Sequence, residues 1–270
     1  MTIKLIATDM DGTFLDGNGA YDKVRFDKIL TALEEKNILF AAASGRQLLA
    51  LEAMFADFSD RILFVAENGG IVKYQDHILF EEKMPFDKVL ELADIVRKSD
   101  YIQDDSVLLS GANGSYILET ASDYYKKKAN FYYENVQALP DFSGVVDDIL
   151  KLTVNFTAAR VLEGEAWVNQ QVTGVRAVTT GFESIDIIPT GISKATGLSH
   201  IAEKFAISPA GMLAFGDNLN DLEMLTYAGT AIATSNARDE IKAVADRVIG
   251  NHKDQAVLTY LEELLKSKNA

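Results

Sequence analysis

The chain has 270 residues, with Lys+Arg 26 against Asp+Glu 40, a formal net charge of −14 and no cysteine. The length serves one large or two medium domains. The charge excludes a broad electrostatic surface for nucleic acid, though not a local cationic pocket for a phosphate ester, and the missing thiols exclude a disulfide framework and a thiolate metal site. A composition of 48% hydrophobic and 24% charged residues is ordinary for a globular protein. No apolar stretch approaches membrane-spanning length, and the apolar run after Lys4 stops at Asp9, unlike a signal peptide. A soluble cytoplasmic protein is expected.

The first predicted element is a buried strand, Ile3 to Ala7, which runs into Asp9-Met10-Asp11-Gly12-Thr13. In an open parallel sheet, ligands bind at the C-terminal strand edge, so this run sets two carboxylates at the useful edge. On a continuing strand Asp9 and Asp11 would leave the same face. Their repulsion can be relieved by a divalent cation, for which magnesium is the natural choice, or by divergent proton affinities that make one a nucleophile and the other a proton donor. Asp-Gly is also a common turn dipeptide.

A helix is predicted over 22–36, then a strand, Ile38 to Ala43, ending in Ser44-Gly45-Arg46 and a helix QLLALEAMFADF. Ser44 stands where a strand gives way to a helix, as a helix cap or as a phosphate ligand. The strand Ile62 to Ala66 ends in Glu67-Asn68-Gly69-Gly70, and a hairpin follows, IVKY and ILFEE around QDH. From residue 83 to 187 the pattern becomes α+β with an antiparallel tendency, with helices expected over 86–98, 122–133 and 158–172 and strands at SVLLS, SYILE, 151–156, VRAVTT and SIDII. We read 83–187 as a second domain inserted into a first made of 1–82 and 188–270. The run Lys126-Lys127-Lys128 reads as a solvated helix face.

Strand–helix alternation returns near residue 188. Ser193 is a plausible cap for an amphipathic helix, which puts Lys194 in the first turn against the helix dipole. A bound anion would resolve that conflict, as would a surface lysine tolerated at slight cost. The strand Met212 to Phe215 is stopped by Gly216-Asp217-Asn218-Leu219-Asn220-Asp221; two aspartates four apart on a first helical turn can face one way. Capping needs one such residue, not four. Together these sites supply a nucleophile, a metal site, an acid/base and positive charge for phosphoryl transfer, without a P-loop.

Asp9 to Thr13, Ser44 to Arg46, Lys194 and Gly216 to Asp221 resemble, in order and spacing, the four motifs of the haloacid dehalogenase superfamily. The Glu67–Gly70 loop and the long insert resemble its Cof-type subgroup; TDMDGTFL, FVAENG and TTGFESIDII are similar to bacterial sugar phosphatases. The resemblance covers essentially the whole chain. It implies a Rossmann-like α/β core with an inserted α+β cap, and a magnesium-dependent phosphatase of small phosphorylated metabolites. Asp9 would be the nucleophile and Asp11 the general acid, then base. The Asp9 carboxylate, the Asp11 carbonyl and Asp217 would hold Mg2+, with Asp221 and Asn218 orienting them. Met10, Ser44, Gly45, Lys194 and Asn220 would bind phosphate; Arg46, Asn68, Phe182 and Glu183 are candidates for substrate contact. Two departures from the pattern, Ala195 after Lys194 and Ala233-Thr234-Ser235-Asn236 before the end, bear on the pocket wall. The alternatives are a phosphotransferase or mutase using the same phospho-aspartate and a receiver-like signalling module. Against the second stand Asp11, which mere phosphorylation does not need, and the large insert.

Overall fold

The computed structural model describes residues 2–181 and 183–266. Five strands form in the first third: β1 (Leu5–Thr8), β2 (Leu39–Ala43), β3 (Leu63–Ala66), β4 (Ile71–Tyr74) and β5 (His77–Glu81). Six follow: β6 (Ile102–Gly111), β7 (Ser115–Leu118), β8 (Val136–Leu139), β9 (Ile149–Phe156), β10 (Val175–Gly181) and β11 (Ser184–Pro189). The last three are β12 (Met212–Gly216), β13 (Thr230–Ala233) and β14 (Arg247–Val248).

They make two sheets. The first has eight strands in the order β14-β13-β12-β1-β2-β3-β4-β5, and the second has six in the order β10-β11-β9-β6-β7-β8. From β14 to β3 all pairings are parallel, whereas β4 and β5 add an antiparallel hairpin. The parallel strands are apolar on both faces because helices cover both. Helices Lys23–Glu35, Leu48–Met54 and Ala256–Lys266 bury Phe26, Leu51 and Leu258 with Phe14, Phe40 and Phe64 on one face. Helices Lys194–Phe205, Leu222–Tyr227 and Asp239–Val244 bury Leu198, Leu225 and Ile241 on the other. Local sequence agrees with these boundaries: the Asp22 carboxylate caps the first helix by accepting from the amides of Val24 and Arg25. The chain winds from β1 to β2 and β3 on one side and returns to β12 on the other. In open parallel sheets ligands bind at the strand ends beside such a reversal, here between the loops after β1 and β12.

The second sheet is antiparallel except for β7 and β8, which pair in parallel. Its side chains alternate in the way that a half-apolar sheet requires. Val107, Leu109, Leu152, Val154, Ile185 and Ile187 pack under helices Phe86–Arg97 and Val161–Gln171. The intervening Ser110, Lys151, Thr153 and Asp186 leave the opposite face, which looks toward the first sheet.

Several expected elements differ in extent. The helix after Arg46 runs from Leu48 to Met54 only. The stretch expected as one helix from 158 is a 3-10 turn, Ala158–Arg160, followed by Val161–Gln171. Strand β8 has no counterpart in the sequence reading: Val136-Gln137-Ala138-Leu139 is too short and mixed to show a period, and its pairing with β7 is non-local.

Candidate active site

Strand β1 ends at Thr8, and the chain turns at once. The amides of Phe14 and Leu15 donate to the carbonyls of Asp9 (3.2 Å) and Met10 (3.0 Å), closing a wide turn over Met10–Phe14. Gly12 makes the turn possible: its φ is +89°, and a Cβ there would strike the Asp217 carboxylate. Because the strand does not continue, the two aspartates diverge. Asp9 is buried, whereas the Asp11 side chain is 51% exposed and accepts two 2.7 Å bonds from the Arg46 guanidinium. Met10 sends its side chain into the aromatic core, so only its backbone is left for the site.

Lys194 is the first residue of its helix, capped by Ser193, whose hydroxyl accepts from the Thr196 amide. It is no surface lysine. Its ammonium is fully buried and donates to Asp9 Oδ1 (2.5 Å) and Asp221 Oδ1 (2.6 Å). The conflict with the helix dipole is thus resolved by two carboxylates. Asp221 Oδ2 accepts from the amides of Asp217 (2.9 Å) and Asn218 (3.0 Å). With both oxygens engaged, Asp221 holds the loop together. Asn218 caps the turn, its Oδ1 accepting from Leu219, while its Nδ2 donates to the Thr180 carbonyl (3.4 Å). Asp217 Oδ1 accepts from the Thr13 hydroxyl (2.9 Å).

Carboxylate oxygens of Asp9, Asp217 and Asp221 lie within 4.8 Å of one another. One ammonium therefore faces three carboxylates. Burial first, then the Asp221 charge, pushes Asp217 up to about 6; burial and Asp221 likewise raise Asp9, against the pull of Lys194. Lys194 stays protonated because Asp221 and Asp9 outweigh its burial. The remaining negative charge, carried on hard oxygens, fits a divalent cation.

Ser44 and Gly45 follow β2. The Ser44 hydroxyl accepts from the Arg46 amide (3.1 Å). Backbone bonds from Glu67 N to Arg46 O and from Asn68 N to Ser44 O, both 3.0 Å, tie this loop to the one after β3. There Gly69, at φ +98°, lets the backbone close on the Ser193 carbonyl, where a Cβ would collide. Asn68 joins Asn220 of the β12 loop: Asn220 Nδ2 donates to Asn68 Oδ1 (3.1 Å). So Asp9, Lys194, Asp217, Asn218 and Asp221 share one cluster, with Ser44, Gly45, Asn68 and Asn220 in loops bonded to one another. Arg46 touches Asp11 and lies 5.2 Å from the Tyr132 ring centroid. Glu183 pairs with Lys128 (2.7 Å), so that lysine of the basic run is partnered. Phe182 lies outside the described residues.

Sequence reading missed Thr13 as a partner of Asp217, and Glu67, Lys151 and Asp186 as a buried charged group. The signal for the last was a lysine inside the otherwise buried strand LKLTVNF, where an unpaired charge is costly.

A family model described as haloacid dehalogenase-like hydrolase matches residues 6–261. The Escherichia coli protein named 5-amino-6-(5-phospho-D-ribitylamino)uracil phosphatase YbjI is 30% identical over 98% of this chain and 97% of its own length. The HMP-PP phosphatase of Serratia proteamaculans is 26% identical over 98% and 96%. Among solved structures, SMU.1108c from Streptococcus mutans superposes with a TM-score of 0.93 at 28% identity, covering 98% of this chain and 100% of that one. With the buried aspartate at the β1 edge and its lysine and acidic partners, these findings place the chain in the haloacid dehalogenase-like hydrolases, as a phosphatase.

Proposed function

We propose that the protein is a magnesium-dependent phosphatase of a phosphorylated sugar or sugar alcohol, acting through an aspartyl-phosphate on Asp9. The observation that carries this reading is the buried Asp9 carboxylate, fixed on one oxygen by Lys194 and flanked by acidic groups that one lysine does not neutralise. Its other oxygen would attack phosphorus while the bond from phosphorus to the leaving alcohol breaks. Asp11, half-exposed at the rim, would give its proton to the departing oxygen. Water would then attack the same phosphorus and lose its proton to Asp11. The acyl phosphate bond breaks and the Asp9 carboxylate returns. Lys194, Ser44, the Gly45 amide and Asn220 would hold phosphoryl oxygens. Asp9, Asp217 and the Asp11 carbonyl would hold Mg2+, which supplies positive charge that keeps Asp9 ionised and offsets charge on the phosphoryl group.

Residues 1–82 and 188–270 would be the catalytic core and 83–187 a cap that covers it, keeping solvent from the phosphoenzyme and choosing the leaving group. The two-sheet organisation supports that division, and the name of the Escherichia coli relative, with its phospho-D-ribityl group, supports the substrate class. Among the described residues no helix is long and apolar enough to cross a membrane, and we assign the enzyme to the cytoplasm.

The test is phosphate release from a panel of sugar phosphates, flavin mononucleotide and pyridoxal phosphate, with magnesium or with chelator, for wild type and Asp9→Asn. Magnesium-dependent turnover that vanishes in Asp9→Asn is expected. Turnover that survives in chelator, or in Asp9→Asn, would sink the mechanism.

A further inference from the structure

The two sheets meet at a second buried charged cluster. Lys151, on β9 of the six-stranded sheet, is 1% exposed, with its ammonium 2.9 Å from Glu67 Oε2 and 3.2 Å from Asp186 Oδ2. It also donates to the carbonyl of Gly45, and lies 5.4 Å from the Tyr133 ring centroid. Glu67 belongs to the first sheet's loop, yet its Oε1 accepts from Ser110 of β6 (2.7 Å). Asp186 of β11 accepts from Thr153 (2.8 Å) on one oxygen and from Asn68 Nδ2 (2.7 Å) on the other.

Followed from end to end, the bonds run from the Gly45 carbonyl to Lys151, Asp186, Asn68 and Asn220. Both ends are residues to which the proposed function gives phosphate contacts; between them, Lys151 and Asp186 belong to the second sheet and Asn68 to the loop after β3. A static contact between two sheets would be cheaper if it were apolar, because each charge buried here must be stripped of water. Paired charges behave differently from an apolar seam. Were the sheets to part, water would solvate all three groups; on their meeting, each group must find its partner. Lys151 reaches the Gly45 carbonyl from across the seam between the sheets. Buried Lys151 nonetheless keeps its proton, because Asp186 and Glu67 outweigh its desolvation.

We propose that Lys151 is a positioning residue that converts seating of the second sheet into ordering of the phosphate-binding loops, an inference that rests on the phosphatase reading above. It touches no reacting atom. It fixes the Ser44–Gly45 loop through one bond and the Asn68–Asn220 pair through Asp186.

Hydrogen–deuterium exchange of the full chain with magnesium chloride and orthovanadate tests this without turnover. Lys151→Met is expected to speed exchange at 44–47 and 67–70 by about tenfold, leaving the strand interiors at 39–43 and 212–216 unchanged. It should also lower kcat/KM for the best sugar phosphate about 100-fold, as a displaced site does. Because Lys151→Met orphans two carboxylates and can misfold, Lys151→Met with Glu67→Gln is the second variant. It removes one orphaned charge but leaves the Gly45 carbonyl without its donor, so 44–47 should still exchange fast. Wild-type exchange at 44–47 in the double variant would overturn the proposal. So would an equal rise through both sheets, which marks a folding role. A wild type that turns over no compound in the panel would strike the phosphatase reading instead, and the exchange comparison would still decide for Lys151.

Discussion

Lys194 and Lys151 are both buried ammonium groups set between two carboxylates, one at the parallel strand edge and one between the sheets. Their surroundings differ in one respect. Beside Lys194 stands a third carboxylate, Asp217, which among the described residues takes one side-chain hydrogen bond, from Thr13. Around Lys151 the acceptors are matched by Ser110, Thr153 and Asn68. The first cluster is left with negative charge and open oxygens; the second is nearly saturated. Unneutralised acidic charge makes room for a cation and a phosphoryl group, whereas a saturated cluster makes a joint. The same side-chain types thus serve chemistry in one place and alignment in the other.

The sharpest way to break this comparison is at the reacting atom. Asp9→Asn keeps the shape and removes the nucleophile, so kcat should fall by at least about 10⁴-fold, read as phosphate release, with the fold intact. Next is Lys194→Met, which leaves the buried Asp9 and Asp221 carboxylates without their cation. It should lower kcat/KM on the order of 10³-fold and destabilise the metal-free protein by about 3 kcal/mol, read by denaturant melts. Magnesium should recover part of that stability, since it supplies charge to the same carboxylates. No such recovery is expected for Lys151→Met, whose orphaned Glu67 and Asp186 stand outside the Asp9, Asp217 and Asp221 group proposed to hold the ion. Equal recovery in both variants would erase the distinction.

Asp217 gives the comparison a pH signature. Its folded value of about 6 stands above the ordinary 3.8, chiefly through burial and then through Asp221. The folded protein therefore holds a proton that the unfolded chain releases, and the stability from that proton is present at low pH and lost as pH rises through about 6. In metal-free buffer Asp217→Asn, which cannot titrate, should gain Tm relative to wild type between about pH 4 and pH 7. With saturating magnesium the order should reverse at neutral pH, because the variant loses a ligand. Magnesium affinity of the wild type should fall about tenfold per pH unit below about 6, measured by titration calorimetry, as the ion competes with one proton.

The strand-edge site was legible because three of its loops each follow an apolar run. Asp9 follows β1, Ser44 follows β2 and Asp217 follows β12, and a break in period at such a point shows in the text itself. The alternation of the parallel core was readable for the same reason. The divergence of Asp9 and Asp11 was not, since it depends on Gly12 turning the chain at φ +89° against Asp217, 205 positions away. Nor was the Lys151 cluster. Its members come from β9, β11 and the loop after β3, and only the packing of one sheet on the other brings them together. A period-2 pattern tells which residues share a face, not what that face meets. Lys194 shows the limit from the other side: the dipole conflict pointed to an anion near the helix start, and the structure places two carboxylates there.

A third lysine–carboxylate pair sets the lower end of the scale. Lys128 and Glu183 lie 2.7 Å apart, with side chains 23% and 20% exposed, and join a helix of the second sheet to the loop before β11. Glu183 was a candidate for substrate contact, yet its Oε1 is already engaged by this lysine. Water reaches both groups, so the pair is screened and its loss strands no charge in a dry site. Glu183→Gln should change stability by less than about 1 kcal/mol and KM for the best sugar phosphate by less than about threefold, with kcat unchanged. A larger rise in KM with wild-type stability would mean that Glu183 leaves Lys128 to bind substrate, and the loop before β11 would then join the leaving-group site. A small effect here beside large ones at Lys194 and Lys151 would show that burial, rather than pairing as such, separates the lysines that matter from the one that does not.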